Sequence, residues 1–415
     1  VHVLFLTQIV PYPPDAGPKV KTWHVLRYLV QRGHQVTLVT FYRDEETPYL
    51  ENLKELCHRV IGIPMRRSRL MDVAYLLKSN LTGRPFIIER DDLPPFRQAV
   101  EECVRRDAVD VIHADQLGMA QFALPPANHV GAWPATLFDA HNAVWTIVER
   151  MGQNAALPLK PVLALETQRV RQYEADILQA FTHTLAVSEP DAAALLAACL
   201  PGVSHEALKA KMTVIPIAVD TATLTPVTRQ PGSQNILTMG TLHYPPNADG
   251  IRWFANEVFP RVRQSQPAAT LTIVGKNPPA DFVQLAAKHP GVIHVTGYVP
   301  DLTPYMQAAA LMAVPVRAGG GIRVRILEAF ARAMPVVTTT VGLEGIHGRP
   351  GLDVLVADDA ASQAAAVTHL MADETLQQQL AANGRALAET QYDWQVVLAA
   401  LDEVYARMEQ RKTSP

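Results

Sequence analysis

The sequence is poor in the features that mark most specialised classes of protein. Its 3 cysteines in 415 residues, Cys57, Cys103 and Cys199, are too few and too scattered for a disulfide framework or a zinc site of close-set ligands. Charge is sparse as well. Charged residues make up 19% of the chain and the formal net charge is −3, so the basic excess that nucleic acid selects is missing and no nucleic-acid partner is expected. No run approaches the ~18 apolar residues of a membrane span, and the chain opens on a strand pattern without a basic, apolar leader; a cytoplasmic protein is expected. Asp-x-Asp does not occur, and none of the 14 histidines falls in a His-Glu-x-x-His arrangement, so neither a catalytic metal nor a cofactor is expected. Gly-x-Gly-x-x-Gly is absent after the first strand, which disfavours a dinucleotide-dependent oxidoreductase.

What remains is a chain of 48% hydrophobic residues, longer than one core usually holds, and two domains of about 200 residues each are expected. Apolar runs at 1–6, 35–41, 59–63, 109–113, 135–139 and 183–188 alternate with helical patterns, as buried parallel strands do. Residues 221–234, rich in Thr, Pro, Gln, Gly and Ser, read as an interdomain linker. Alternation then restarts with strands at 235–240, 269–275, 292–297, 311–316, 335–339 and 353–357. The expectation is α/β: two doubly wound parallel-sheet domains, 1–218 and 219–393, facing a central cleft, with 394–415 as a terminal helix crossing back to the first domain. A sheet of this kind binds ligand at the carboxyl ends of its strands.

The most informative segment is AGGGIRVRILEAFARAMP at 318–335. Gly319, Gly320 and Gly321 let the backbone approach a ligand, and the helix expected to begin near Ile322 turns unpaired N–H groups and a positive dipole end toward it. Arg323 and Arg325 stand where the phosphates of a nucleotide diphosphate would lie. Ile322, Ile326 and Phe330 repeat as a core stripe, whereas Arg325, Glu328 and Arg332 read equally as a solvated salt-bridge row.

These pieces resemble the retaining glycosyltransferases of the GT-B fold, family 4 (group 1). The resemblance also rests on PYPPDAG at 11–17, LVQRGHQV at 29–36, Val187-Ser188 with Asp191, IPIAVD at 215–220, Met239-Gly240, IVG at 273–275, VTGYVPD at 295–301 and ILEAFARAMPVV at 326–337. YPPNAD at 244–249 and the triple-glycine string are similar to a subgroup of sugar transferases associated with polysaccharide and exosortase gene clusters. The resemblance implies transfer of a hexose from a UDP- or GDP-sugar to a glycan, lipid-linked or small-molecule acceptor, with Glu328 holding the ribose hydroxyls. The family's Glu-x7-Glu signature would place its first acid at 320, where this chain has Gly320, and the usual Arg and Lys after the first strand of the second domain are not visible beyond Gly240. Either the backbone of Gly319 to Ile322 then meets the sugar or the donor sugar is an unusual one, and the two arginines are expected to meet the diphosphate.

For the remaining site, His141 at a strand end is the expected catalytic polar group of the first domain, with Asn142 bracing it and His113 and Asp115 in a similar position. Gly17 reads as a loop glycine near the diphosphate or as a turn glycine, and Lys19 as added charge or a solvated lysine. Tyr298 and Val299 are expected at the base pocket. Asn247 reads phosphate or sugar, or caps the helix 248–258. The segment 65–78, basic then apolar, reads as a membrane-touching amphipathic element or as a helix packed on the first domain, with the packed helix favoured. A noncatalytic nucleotide-sugar-binding subunit and a sugar-nucleotide epimerase remain the rival readings.

Overall fold

The computed structural model describes residues 1–15, 17–153, 155–199, 202–319 and 321–413. The chain forms two compact units, one made of Val1–Ile217 with Val397–Pro415 and the other of Ala218–Val396. The first unit contains a seven-stranded sheet in which every pairing is parallel: β1 (His2–Thr7), β2 (Gln35–Tyr42), β3 (Arg59–Pro64), β4 (Val111–Asp115), β5 (Ala135–Ala140), β6 (His183–Ala186) and β7 (Met212–Val214), in the order β3-β2-β1-β4-β5-β6-β7. β7, only three residues long, is not distinguished by its pattern from the coil that follows. The second unit holds a parallel six-stranded sheet, β8 (Asn235–Met239), β9 (Thr270–Val274), β10 (Ile293–Val295), β11 (Leu311–Val314), β12 (Val336–Thr338) and β13 (Leu355–Val356), in the order β10-β9-β8-β11-β12-β13.

Strand order reverses between β1 and β4 in one sheet and between β8 and β11 in the other, and each reversal opens a crevice at the strand carboxyl ends. Helices on both faces bury the sheets, as parallel sheets require. In the first unit Phe41, Phe96 and Phe122 pack ring on ring, with centroids 4.6 and 4.5 Å apart along the row. All three cysteines are buried and free. Among the described residues no helix is long and apolar enough to cross a membrane.

Two expectations change. The stretch read as a linker belongs to the second unit, where Val227 N donates to Arg332 O at 3.0 Å, Gln230 N to Gln307 O at 2.7 Å and Arg229 to Ala310 O at 2.8 Å. Polar composition there reflects an irregular backbone satisfied by neighbours, which composition alone does not separate from a free linker. The helix Arg69–Thr82, expected to pack on the first domain, buries only Ser79. The last helix, Ala400–Thr413, returns to the first unit, where Tyr405 is fully buried and Asp402 pairs with Arg32.

Candidate active site

The first unit builds its site where β1, β4 and β5 end. Parallel register sets Thr7 level with Asp115 and Asp115 level with Asp139, so two carboxylates meet inside the protein and each needs partners. Asp139 receives the buried ammonium of Lys21 and lies 3.4 Å from His113 Nε2. Because a carboxylate only accepts, His113 carries its proton on Nε2, and its Nδ1 accepts from the Tyr405 hydroxyl at 2.8 Å. Burial drives the Asp139 pKa up, but Lys21 and His113 outweigh it and hold the carboxyl well below the usual range. Asp115 accepts from Thr7 at 2.8 Å and Thr22 at 2.9 Å through Oδ2, and from His141 Nε2 at 2.7 Å through Oδ1.

By the same argument His141 is protonated on Nε2, which leaves Nδ1 as its second polar atom. That Nδ1 is buried and without a hydrogen-bond partner, and so is Nε2 of Gln116. Both residues line a cavity of about 200 Å³ with Gln8, Arg90, Asp91, Gly118 and Asn142. Gln116 has a positive φ of 75° with ψ 158°, a strain that non-glycine residues rarely carry away from functional sites. The 141–145 segment is clamped from behind: Glu174 accepts from Val144 N at 2.7 Å and Trp145 N at 2.9 Å, and Asp191 from Ala143 N at 3.3 Å. Burial pushes the Glu174 carboxyl up to about 7 despite those two donors.

Asp115, Asp139 and His141 are the group of described residues whose ligand atoms, all within 4.8 Å of one another, could hold a cation. Lys21, Thr7, Thr22 and the His141 imidazole occupy those same oxygens, so the set is satisfied by the protein's own donors and does not fit a metal. Lys19, the lysine expected here, instead pairs with Asp15 at 3.4 Å and Glu46 at 3.9 Å. Gly17 is the first residue of the helix Gly17–Gln31, which carries Lys21 and Thr22 on its inner face.

The second unit builds a different site between β8 and β11. Arg325 Nη1 donates to Met239 O at 2.7 Å, Nη2 bonds Asn247 Oδ1, and Asn247 Nδ2 reaches Thr241 O at 3.4 Å. Gly240 makes this possible, since a Cβ there would lie 2.5 Å from Arg325 Nη1. Gly319 and Gly321 adopt φ of 111° and 79°, conformations open to glycine without a Cβ penalty. Gly320 lies outside the described residues. Ile322 is buried, and the helix begins at Val324 with Arg323 as its N-cap, Nη1 donating to Gly321 O at 2.8 Å. Burial and then the neighbouring Arg323 pull the Arg325 guanidinium down to about 10. Burial raises the Glu328 carboxyl, an effect that Arg332 and Arg325 only partly oppose.

Two readings are corrected here. Arg325, Glu328 and Arg332 are not a solvated row, because Arg325 turns into the strand ends and Arg332 donates to Thr303 Oγ1 at 3.2 Å. Asn247 caps nothing: Tyr244 is the N-cap of the helix Pro245–Trp253, and Asn247 lies inside its first turn as the acceptor for Arg325. Tyr298 is exposed and Val299 half-buried. The pair follows Gly297, whose carbonyl accepts from Gly275 N at 3.2 Å, and the Lys276 ammonium stands 5.9 Å from the Tyr298 ring centroid. Lys276 was not singled out from the sequence. Its signal was the VGK string at the end of β9, a cation one residue beyond a glycine at a strand end.

Residues 233–373 match the family profile described as "Glycosyl transferases group 1". An uncharacterized 44.6 kDa protein in the cps region of Klebsiella pneumoniae is 21% identical over 96% of this chain and 98% of its own length. Glycogen synthase of Mycobacterium tuberculosis is 29% identical, and that match spans 50% of this chain and about half, 51%, of the enzyme. Among solved structures, sucrose-phosphate synthase from Thermosynechococcus elongatus superposes with a TM-score of 0.72 at 17% identity, covering 98% and 99% of the two chains. HepE from Anabaena, solved in complex with UDP, gives 0.68 at 13% identity over 98% and 100%. Fold neighbours and family profile agree: residues 233–373 match the group 1 glycosyltransferase profile, and the two parallel-sheet units have the GT-B fold of the glycosyltransferases they superpose on.

Proposed function

We propose that the chain transfers a hexose, with retention of configuration, from a UDP- or GDP-sugar to a glycan or lipid-linked acceptor in polysaccharide assembly, without a metal ion and in the cytoplasm at the inner face of the membrane. The observation that carries this reading is the guanidinium pair Arg323 and Arg325 at the start of the helix Val324–Ala331, set at the strand reversal of the second sheet. Two adjacent like charges, partly withdrawn from water, depress each other's charged form, and a diphosphate relieves that repulsion. The helix N-terminus adds its own field. Glu328, one turn along, takes the ribose hydroxyls, Gly319 and Gly321 admit the donor backbone to backbone, and Tyr298 with Val299 flanks the base.

In the first unit the Nδ1 of His141 takes a hydrogen bond from a sugar hydroxyl and orients it, while Gln116 and Asn142 contribute amide groups of the kind that read hydroxyls. Gly17 sits at the start of the helix that delivers Lys21 and Thr22 to this network. In retaining chemistry of this sort the leaving phosphate takes the acceptor's proton. The protein's share is then charge stabilisation by the arginines and orientation by His141. HepE was solved with UDP-glucose, and WaaG, another fold neighbour, is described as involved in lipopolysaccharide biosynthesis; both suit the class of donor and acceptor proposed.

Thermal-shift measurements against UDP-, GDP-, ADP- and dTDP-sugars test the reading. At a free donor concentration a hundredfold above Kd the correct one adds about 2.7 kcal/mol of stability. Arg323→Ala and Arg325→Ala are expected to abolish that shift, and mutants that keep it would overturn the phosphate assignment. Product analysis separates the rivals: an epimerised donor without acceptor, or tight donor binding with no turnover across many acceptors, replaces the transferase reading.

A further inference from the structure

The helix Arg69–Thr82 presents Leu70, Val73, Leu77 and Leu81 at 85%, 57%, 62% and 88% exposure. Their spacing of three, four and four residues puts them on one stripe, with Met71 and Leu76 beside it. Such a concentration is unusual, since monomers scatter their exposed apolar residues. A second element extends the face. The turn Leu157–Leu159 and the start of the helix Lys160–Ala180 expose Leu157, Leu159, Val162 and Leu165. The two elements are tied together by Arg169, which donates to Ser79 Oγ and Asn80 Oδ1 at 3.1 Å each, and Glu166 accepts from Phe86 N, in the helix Phe86–Asp91 that follows, at 2.8 Å.

Charge around the face has one dominant sign. Arg66, Arg69 and Lys160 are exposed, and Arg67 and Lys78 add basic groups partly offset by Asp91 and Glu89, each 2.6 Å away; Asp72 is the acid on the helix itself. A second copy of the chain would bring the same basic rim against itself, which opposes a self-complementary contact. An anionic lipid surface matches both the apolar stripe and its rim. The helix is about 21 Å long, enough to lie in the interface and too short to cross it.

We propose that this two-helix face docks the first unit on an anionic bilayer. The inference rests on the reading of a lipid-linked acceptor and deepens it. Arg67, just before the first helix, pairs with Asp91 in the wall of the His141 cavity, and Val144, another lining residue, opens the helix Val144–Gln153 that leads to Leu157. The proposed lipid face is thus linked to the wall of the His141 cavity through the Arg67–Asp91 pair and the helix Val144–Gln153.

The test is co-sedimentation of the full chain with vesicles of phosphatidylcholine and phosphatidylglycerol in equal parts, beside vesicles of phosphatidylcholine alone. Expected are preferential recovery with the anionic vesicles, weakening as salt rises, and a loss of at least ~10-fold in partitioning for the double variant Leu77→Glu with Leu81→Glu. Circular dichroism and the donor-induced thermal shift are read on the same samples. They verify folding and keep this inference separate from the transferase reading, because a folded chain that retains the donor shift yet ignores vesicles overturns docking alone. Equal recovery of wild type and variant overturns it too, as does a concentration-dependent dimer by light scattering that the variant disperses.

Discussion

Both units place charged side chains at the reversal point of a parallel sheet, yet they balance them in opposite ways. In the first, the carboxylates at the strand ends have partners: Asp139 has Lys21, and Asp115 has the hydroxyls of Thr7 and Thr22 and the His141 ring. In the second, burial and the neighbouring Arg323 lower the Arg325 guanidinium, and Glu328 opposes them only in part. A balanced network gains nothing from an ion and holds a neutral group in one orientation. An unbalanced one is stabilised when an anion arrives. Under the proposed function, orientation of sugar hydroxyls falls to the first unit and capture of a charged leaving group to the second.

Breaking the balance in the first unit is expected to have the largest effect. Lys21→Met leaves Asp139 buried without its ammonium, and stability is expected to fall by about 3–5 kcal/mol, read from urea unfolding. Adding Asp139→Asn should recover most of that loss, since no charge is then stranded. Arg323→Met is the counterpart in the second unit and is expected to change stability by less than about 1 kcal/mol, because it thins a like-charge pair. If Lys21→Met proves as mild as Arg323→Met, the contrast between the units fails.

Only the second unit's half of this contrast is legible in the sequence. The strand runs stood out because parallel strands buried on both faces read as unbroken apolar stretches, and the triple glycine before an arginine pair marked the second site. The choice of Lys19 over Lys21 shows where legibility ends. In GPKVKTWHVLRYLVQ the inward face carries Lys21, Thr22 and His24 beside Val25 and Leu26, so polarity does not report the helix phase, and a buried lysine looks like a surface one. Gln116 and Lys276 were hidden for another reason: a positive φ and a ring contact across two strand ends belong to tertiary structure. The exposed stripe of the helix Arg69–Thr82 was visible as amphipathicity, but whether an apolar face meets a core or the solvent is decided by the rest of the fold.

A second way to sharpen the comparison uses pH. Glu174 clamps the segment after His141, and its carboxyl rises from the ordinary 4.5 to about 7. The folded chain therefore holds a proton that the unfolded chain has released. Stability from this group is present in acid and is lost as pH rises from about 4.5 through about 7, by up to about 3 kcal/mol. Glu174→Gln keeps an acceptor for one backbone N–H and cannot ionise. The difference in unfolding free energy between wild type and variant should thus shrink in acid and widen above neutrality in the variant's favour. A difference that stays flat from pH 5 to 8 would show that the clamp is charged throughout.

The effect expected on turnover is the most specific to orientation. Asp115 accepts the Nε2 proton of His141 and so leaves Nδ1 to the cavity. In Asp115→Asn the amide group can turn its NH2 toward the ring, which then favours the other tautomer and offers a donor where an acceptor stood. Turnover is expected to fall by about 10- to 100-fold, with the affinity for the nucleotide donor unchanged because the arginines are untouched. Nitrogen-15 NMR of the His141 ring reads the tautomer directly. Should turnover fall while the ring keeps its proton on Nε2, Asp115 acts through packing and not through the tautomer, and orientation by His141 loses its support. A parallel loss of donor affinity would instead mean that the first unit shares in holding the charge, which the balanced network argues against.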